Sequence, residues 1–588
     1  MLPFTVPQAL DRTAVNCADQ LAMRWKAEGA WRSLSWPAYR QQVYLAARGF
    51  MALGLEPGDG VAILGANQPG WFVADLAAIH AGARPAGIYT TFTPDQWVYI
   101  ARHCDARLVV VENAEYARTW LARRHELPNL RAIVQMDGAP PAGVVAWDEL
   151  LRRAHEVPES MLAARLAAQT PESVATLIYT SGTTGAPKAV MLTHDNLTWT
   201  ASVGVAAIGI RPGDNVLSYL PLSHIAEQLV SLFGPLVFGG CTWFAEGMEQ
   251  VGDNLREARP DYFLGVPRVW EKIQERMEAV GASSPRWRRR LVAWARRVGL
   301  AAGYADQEGR RRPLLFPLAN ALVFRKVRQR LGLDRAHLLV TSAAPIARST
   351  LEFFLSLGLP ICEVYGMSEC TGPATISTPR RYRTGKAGFA FPGAELRIAP
   401  DGEICMRGRH VFAGYAKDPV GTADALDADG WLHSGDIGEV DAEGFLQVTD
   451  RKKDLLITAG GENVAPQFIE GLLKGIPVVS QAVVVGDRRR YLAVLLALDP
   501  ARVVEDARAI GSPARNPMEA GACQVFRAHL QREIDAVNVR LARPQTVKRF
   551  TVVAGEFTVE GGELTPSMKV RRKVVTEKYA AEIEALYS

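Results

Sequence analysis

A chain of 588 residues is too long for one hydrophobic core, and at roughly 150 residues per domain it divides into two to four structural units. Its 48% hydrophobic and 22% charged residues fit an ordinary globular protein, and a net charge of +5 gives no ground for expecting nucleic acid as a partner. The most apolar run, residues 229 to 244, is shorter than the ~20 residues of a spanning helix and is broken by Gly234, Pro235, Gly239 and Gly240, so no transmembrane segment is expected. Met1–Pro7 lacks a basic region and a long apolar core, so no signal peptide is expected either. Seven scattered cysteines, odd in number and without metal-ligand spacing, point to reduced thiols in a cytoplasmic setting.

From Trp36 to about Gly54 apolar residues recur at helical spacing, and Glu56-Pro57-Gly58-Asp59-Gly60 is a turn. Val61–Leu64, Ala86–Tyr89 and Leu108–Val111 read as short buried strands, separated by helices over Phe72–Ala81 and from Pro94 to Arg102. This alternation predicts a parallel sheet with helices on its faces.

The next strand, Val174–Ile178, runs into Tyr179-Thr180-Ser181-Gly182-Thr183-Thr184-Gly185-Ala186-Pro187-Lys188. Glycines let a backbone approach an anion closely, and N–H groups and hydroxyls donate to it, so the stretch reads as a phosphate-handling loop; a polar turn is the other reading. It is not a Walker A loop, because the spacing of Gly182 and Gly185 is too short and Ala189 follows Lys188. Beyond it, a helix begins at His194-Asp195-Asn196-Leu197, with Asp195 or Asn196 as cap. Val216–Ser223 is a strand running into a loop at His224, and a lone histidine there is ordinarily structural.

Residues 286 to 297 form a basic amphipathic helix carrying Trp287 and Trp294, and Arg310-Arg311-Arg312 and Arg325-Lys326-Val327-Arg328 extend the basic character. Two readings stand: a solvated face with tryptophans packed inward, or a helix lying on a membrane surface. Ile361–Val364 is a strand leading into Tyr365-Gly366-Met367-Ser368-Glu369. From about 393 to 450, short strands alternate with turns such as Asp401-Gly402, Asp429-Gly430 and Glu443-Gly444, which predicts a small β-barrel or twisted sheet. The charged run Asp450–Asp454 opens a separate α+β unit, with strands over Ala482–Val485 and Tyr491–Leu498 and helices over Phe526–Leu541 and at the C-terminus.

Taken in order, TSGTTGAPK (180–188), PLSH (221–224), YGMSE (365–369), WLHSGD (431–436), TDRKKD (449–454), GGEN (460–463) and ELTPSMKVRRK (563–573) resemble the motifs of the adenylate-forming superfamily. The chain is most similar to its long-chain fatty acyl-CoA synthetases, which the segments from LGANQPGWF and VPRVWEKI also resemble. The resemblance implies an α/β, acyl-CoA synthetase-like fold. Its large N-terminal region (1–450) has two αβ lobes and a β-barrel-like subdomain; a hinge follows at 451–455, aligned on Lys453, and then a small mobile α+β C-terminal domain (456–588). The implied activity is ATP-dependent conversion of a fatty acid to an acyl-adenylate and pyrophosphate, followed by transfer to coenzyme A.

Residue by residue, the resemblance implies that Thr180, Ser181, Gly182, Thr183, Thr184 and Gly185 hold the β- and γ-phosphates of ATP with Lys188 nearby. Thr184 and Glu369 would bind Mg²⁺; Tyr365, Gly366 and Ser368 would meet adenine and the α-phosphate; Asp436 and Arg451 would bind ribose. His224 would line the acyl and pyrophosphate region, Gly460 and Gly461 the pantetheine tunnel, and Lys569 would neutralise charge at the α-phosphate. Ser368 stands where the family usually has Thr, and Thr341-Ser342-Ala343-Ala344-Pro345 aligns with a segment that usually has Gly at its second position. Expected partners are fatty acid, ATP and coenzyme A, with a cytoplasmic location that the basic 286–328 region would make peripheral on the inner membrane surface. The alternatives are transfer to a carrier protein, a medium-chain or aryl acid as substrate, and a non-catalytic scaffold; the presence of Lys569 and Glu369 weighs against the last.

Overall fold

The computed structural model describes residues 2–180, 186–459, 462–558, 560–564 and 570–588. Strands β1 (Leu21–Ala27) and β2 (Ala30–Ser35) form an antiparallel hairpin. The main sheet of the first lobe comprises β3 (Gly60–Leu64), β4 (Arg84–Ile88), β5 (Ala106–Val111), β6 (Ala132–Gln135), β7 (Val145–Ala146), β8 (Val174–Thr180) and β9 (Lys188–Thr193), in the order β7-β6-β5-β3-β4-β8-β9. Every pairing in it is parallel except β8 with β9. Val61, Ile63, Leu108 and Val110 face one core, beneath helices α1 (Trp36–Ala52) and α2 (Pro69–His80). Ala62, Leu64, Val109 and Val111 face the other, beneath α3 (Pro94–His103). Burial on both faces is why these strands read as unbroken apolar runs.

Helix α4 (His194–Ile208) follows β9, but its cap is Thr193 rather than Asp195 or Asn196. The Thr193 hydroxyl accepts from the Asn196 N–H, and the Asn196 side chain accepts from the Thr193 N–H at 2.9 Å. Asn196 therefore supplies the return half of a capping box, three residues inside the helix. Strands β10 (Asn215–Ser218) and β11 (Cys241–Phe244) join the first hairpin in the order β10-β11-β1-β2.

The second lobe holds the parallel strands β12 (Tyr262–Leu264), β13 (Leu338–Thr341) and β14 (Ile361–Glu363). Helices α5 (Pro267–Ala282) and α6 (Arg286–Gln307) belong to it. Its core centres on Trp270, which meets Phe263 and Phe354 edge-on. The region from 393 to 450 is a four-stranded antiparallel meander, β15 (Glu395–Ile398), β16 (Glu403–Arg407), β17 (Leu432–Val440) and β18 (Leu446–Arg451). Of the two forms expected there, the described residues make an open sheet, with a bridge from Phe389 to Phe445 on its β18 side.

After Arg451 the chain turns, with the N–H groups of Asp454 and Leu455 on the Arg451 carbonyl. It then builds a sheet of β19 (Val479–Val485), β20 (Leu492–Leu498) and β21 (Val547–Val552). Alternate residues of β20 face two separate cores, Leu492, Val494, Leu496 and Leu498 one and Ala493, Leu495 and Ala497 the other. Ion pairs from Lys474 to Glu271 (3.9 Å) and from Arg502 to Glu278 (2.7 Å) join this unit to α5. All seven cysteines are free thiols. Among the described residues no helix is long and apolar enough to cross a membrane.

Helix α2 is buried almost all round, and it carries Asp75, fully buried, with neither carboxylate oxygen hydrogen-bonded among the described residues. Burial pushes this carboxyl up to about 8. Between the ordinary aspartate range near 4 and that value, the folded chain holds a proton that the unfolded chain releases, so stability falls as pH rises through the window. We expect Asp75→Asn to remove the loss, so that its melting temperature exceeds that of the parent chain by a few degrees at pH 8 and by less at pH 5. A difference independent of pH in thermal melts would contradict this.

Candidate active site

The site gathers where β8 gives way to β9. Thr180, the last residue of β8, pairs with Lys188, the first of β9. Ser181, Gly182, Thr183, Thr184 and Gly185 lie outside the described residues. The free edge of β9 is covered by residues 413–416: Met191 N–H donates to Gly414 O, and Ala413 and Ala416 N–H donate to Met191 O and Ala189 O. That pairing brings Tyr415 and Asp418 beside Lys188. The Lys188 ammonium lies 3.0 Å from an Asp418 carboxylate oxygen and 4.6 Å above the centre of the Tyr415 ring.

The Tyr415 hydroxyl in turn donates to Glu369 Oε1 at 2.7 Å. Glu369 is buried in the short turn Ser368–Cys370, beside the two-residue strand Gly366–Met367. Gly366 is required there, because a Cβ at this position would fall 1.7 Å from the Gly372 carbonyl oxygen. Burial raises the Glu369 carboxyl above its ordinary range, and the charge of Asp436 adds to this, while the Tyr415 hydroxyl and the positive charge of Arg451 oppose it.

A second chain of contacts starts at Tyr365, whose hydroxyl donates to Asp436 Oδ2 at 2.8 Å. Asp436 on β17 stands opposite Arg451 on β18, with Arg451 Nε 3.3 Å from Asp436 Oδ1. The structure thus unites Tyr365, Asp436 and Arg451 and places Glu369 within range of their charges. Ser368 is buried next to Glu369. His224 caps the turn Ile225–Glu227, its Nδ1 accepting from the Ala226 N–H at 3.1 Å, which leaves Nε2 to carry the proton of the neutral ring.

Gly460, Gly461 and Lys569 lie outside the described residues. Their neighbours are paired: Leu456 and Ile457 with Val464 and Asn463, and Leu564 with Val570. Lys452, beside the expected hinge residue Lys453, binds Asp401 at 2.7 Å and Glu403 at 3.0 Å. Glu403 also accepts from the Gly435 N–H at 2.8 Å and sits with Cys405 and His433 on one face of β16–β17.

Tyr415, Asp418 and Glu403 were not picked out from the sequence. Only the pairing of 413–416 with β9, and of β16 with β17, brings them to the site.

Residues 10–416 match the family described as AMP-binding enzyme, and residues 453–588 match AMP-binding enzyme C-terminal domain. The chain belongs to the AMP-binding enzyme family. The long-chain-fatty-acid--CoA ligase ACSBG2 of Gallus gallus is 42% identical over 621 residues, spanning 100% of this chain and 81% of that protein. Its Xenopus laevis counterpart is 40% identical over 619 residues, spanning 100% and 84%. Among solved structures, the anthranilate CoA ligase AuaEII in complex with anthranoyl-AMP superposes with a TM-score of 0.76 at 20% identity, covering 100% of this chain and 99% of that one. The two matched segments of this AMP-binding enzyme leave 417–452 between them, the stretch that contains Asp436 and Arg451.

Within 341–345 the backbone is strained at Ala343, the residue after the departing Ser342. Ala343 adopts φ 76°, in the left-handed region, while the Ser342 hydroxyl ties the segment to the Val364 carbonyl at 2.8 Å. A side chain there costs roughly 1–2 kcal/mol relative to glycine. Ala343→Gly should therefore raise the melting temperature of this AMP-binding enzyme, despite the greater chain entropy of glycine; a lower value in thermal melts would show that the Ala343 methyl contributes packing that outweighs the strain.

Proposed function

We propose that this chain is a long-chain fatty acid–CoA ligase that uses ATP to form an acyl-adenylate and pyrophosphate, then transfers the acyl group to coenzyme A. The observation that carries it is the joined pair of networks, Tyr365–Asp436–Arg451 and Lys188–Tyr415–Glu369, with Glu369 in range of both. The names of the relatives support the long-chain acid and the thiol acceptor.

In this reading, attack by a fatty carboxylate on the α-phosphate brings two anions together, so catalysis rests on positioning and charge compensation. Asp436 accepts from the ribose hydroxyls, held in place by the Tyr365 hydroxyl and Arg451. The Tyr365 ring offers a face for adenine beside Gly366, and the Ser368 hydroxyl is a donor for the α-phosphate. Thr180 and residues 181–185 hold the β- and γ-phosphates. Lys188, restrained between Asp418 and the Tyr415 ring, supplies positive charge at the mouth of that stretch.

Mg²⁺ fits the donor set: Glu369 is a buried carboxyl that burial pushes toward neutrality, and a cation beside it would restore the charged form. Mg²⁺ commonly takes one or two carboxylates with phosphates and water, so Glu369, with Thr184, would hold it; when bound it neutralises phosphate charge. His224 lines the acyl side. A small C-terminal domain pivots at Lys453 within 451–455, presenting Lys569 for adenylation and then Gly460 and Gly461 for thioester formation. A cytoplasmic location with peripheral contact at the inner membrane surface belongs to the same proposal.

Two measurements test this reading. Lys569→Ala should abolish adenylate formation from acid and ATP yet leave thioester formation from supplied acyl-adenylate within a few-fold; equal loss of both would reject alternation about Lys453. Tyr415→Phe removes a hydroxyl that lowers the Glu369 carboxyl, so the acidic limb of kcat/KM for ATP should move to higher pH, with a loss of about tenfold or more at neutral pH, as expected for a hydrogen bond to a charged group. An unmoved limb would take Tyr415 out of that role.

A further inference from the structure

Residues 279–333 carry thirteen Lys and Arg against only Asp306 and Glu308, a formal +11 within a chain whose total is +5. Both acids are already paired, Asp306 with Arg312 and Glu308 with Arg310. Arg286, Arg288, Arg289, Arg290, Arg325 and Lys326 are exposed and form no ion pair with a described residue. The charge is not a uniformly solvated face, because large apolar side chains stand among it. Trp294 packs into the core of the second lobe, but Trp287 is 63% exposed.

The segment after α6 is the more telling one. Helix α7 (Phe316–Ala319), a π-helical turn (Asn320–Phe324) and helix α8 (Arg325–Leu331) form one continuous run. Ala319, Val323 and Phe324 turn into the core, and α6 lies so close that a Cβ on Gly299 would meet the Phe324 ring at 2.8 Å. Leu315, Leu318 and Leu322 recur at helical spacing on the outer side, about half exposed, and Leu314 before them is 97% exposed. A surface helix that is apolar on both sides lacks a partner for one of them.

We propose that this face, Leu314, Leu315, Leu318 and Leu322 with Arg325 and Lys326 one turn beyond Leu322, docks onto an anionic phospholipid surface. Leucines enter the headgroup–acyl boundary while Arg325 and Lys326 pair with lipid phosphates, the division of labour of an interfacial helix. The charge complementarity selects an acidic bilayer over a neutral one, and the protruding leucines select a bilayer over a soluble polyanion. The inference rests on the proposed peripheral location and gives it a surface and a lipid class; it does not depend on catalysis.

The test is flotation of the full chain with vesicles of phosphatidylcholine alone or mixed with phosphatidylglycerol, at low and high salt. We expect binding to the mixed vesicles, about tenfold weaker binding to phosphatidylcholine alone, and weakening by salt. The triple variant Leu315→Ser, Leu318→Ser, Leu322→Ser and the double variant Arg325→Gln, Lys326→Gln should each weaken binding about tenfold. Both should keep pyrophosphate release on soluble acid, which shows that they fold. No binding to mixed vesicles overturns the proposal. So does binding that the leucine variant leaves intact, which would make the surface a polyanion site. Vesicle binding by a parent chain that releases no pyrophosphate would sink the catalytic reading and leave this one standing.

Discussion

Glu369 is a carboxyl group taken almost wholly out of water, and burial alone favours its neutral form. What surrounds it decides whether it can carry charge. The Tyr415 hydroxyl donates to it, Arg451 contributes positive charge, and Asp436 works the other way. These groups come from distant parts of the chain, so the balance at one carboxyl depends on the meeting of the first lobe, the loop after β14 and the β17–β18 ladder.

The fold meets that need through one reversal. A parallel sheet delivers the carboxyl ends of its strands to one edge, and β8 arrives there with Thr180. By turning back as β9, the chain places Lys188 beside the strand end and leaves an open edge, which residues 413–416 then occupy. Sheet hydrogen bonds therefore set the position of Tyr415, and its hydroxyl inherits that rigidity. The same logic fixes Asp436 and Arg451, which face each other because they share a ladder.

Much of this was legible in the sequence. Strands buried on both faces announce themselves as runs such as Val61–Leu64 and Leu108–Val111, and their alternation with helices gave the parallel sheet. Tyr365, Glu369, Asp436 and Arg451 stood out through motif resemblance, and the described structure brings them together. Other features could not be read. The cap of α4 went to Asp195 or Asn196 because both residue types suit it, whereas the capping box needs Thr193 at the cap and Asn196 three residues inside. Tyr415 and Asp418 carry no local signal, since their partners lie on β9 and in the turn at Glu369, far away in sequence. The basic segment from 286 to 328 was legible despite a net charge of only +5, but the exposed Leu315, Leu318 and Leu322 within it were not. The strain in Thr341–Pro345 could not be read either, because it lies in the backbone of Ala343 and not at the departing Ser342.

The clamp on Lys452 has a mechanical meaning. Its ammonium is fastened to Asp401 and Glu403, and its N–H donates to the Gly435 carbonyl, so the chain is anchored to the β subdomain one residue beyond Arg451. In the alternation proposed about Lys453, the pivot follows that anchor, close to the residue paired with Asp436. On that proposal, a pivot there would sweep the far end of the unit through a wide arc while the Asp436–Arg451 pair, close to the pivot, would shift little. The short radius on one side and the long radius on the other would let the same pocket keep its grip while the tools brought to it are exchanged.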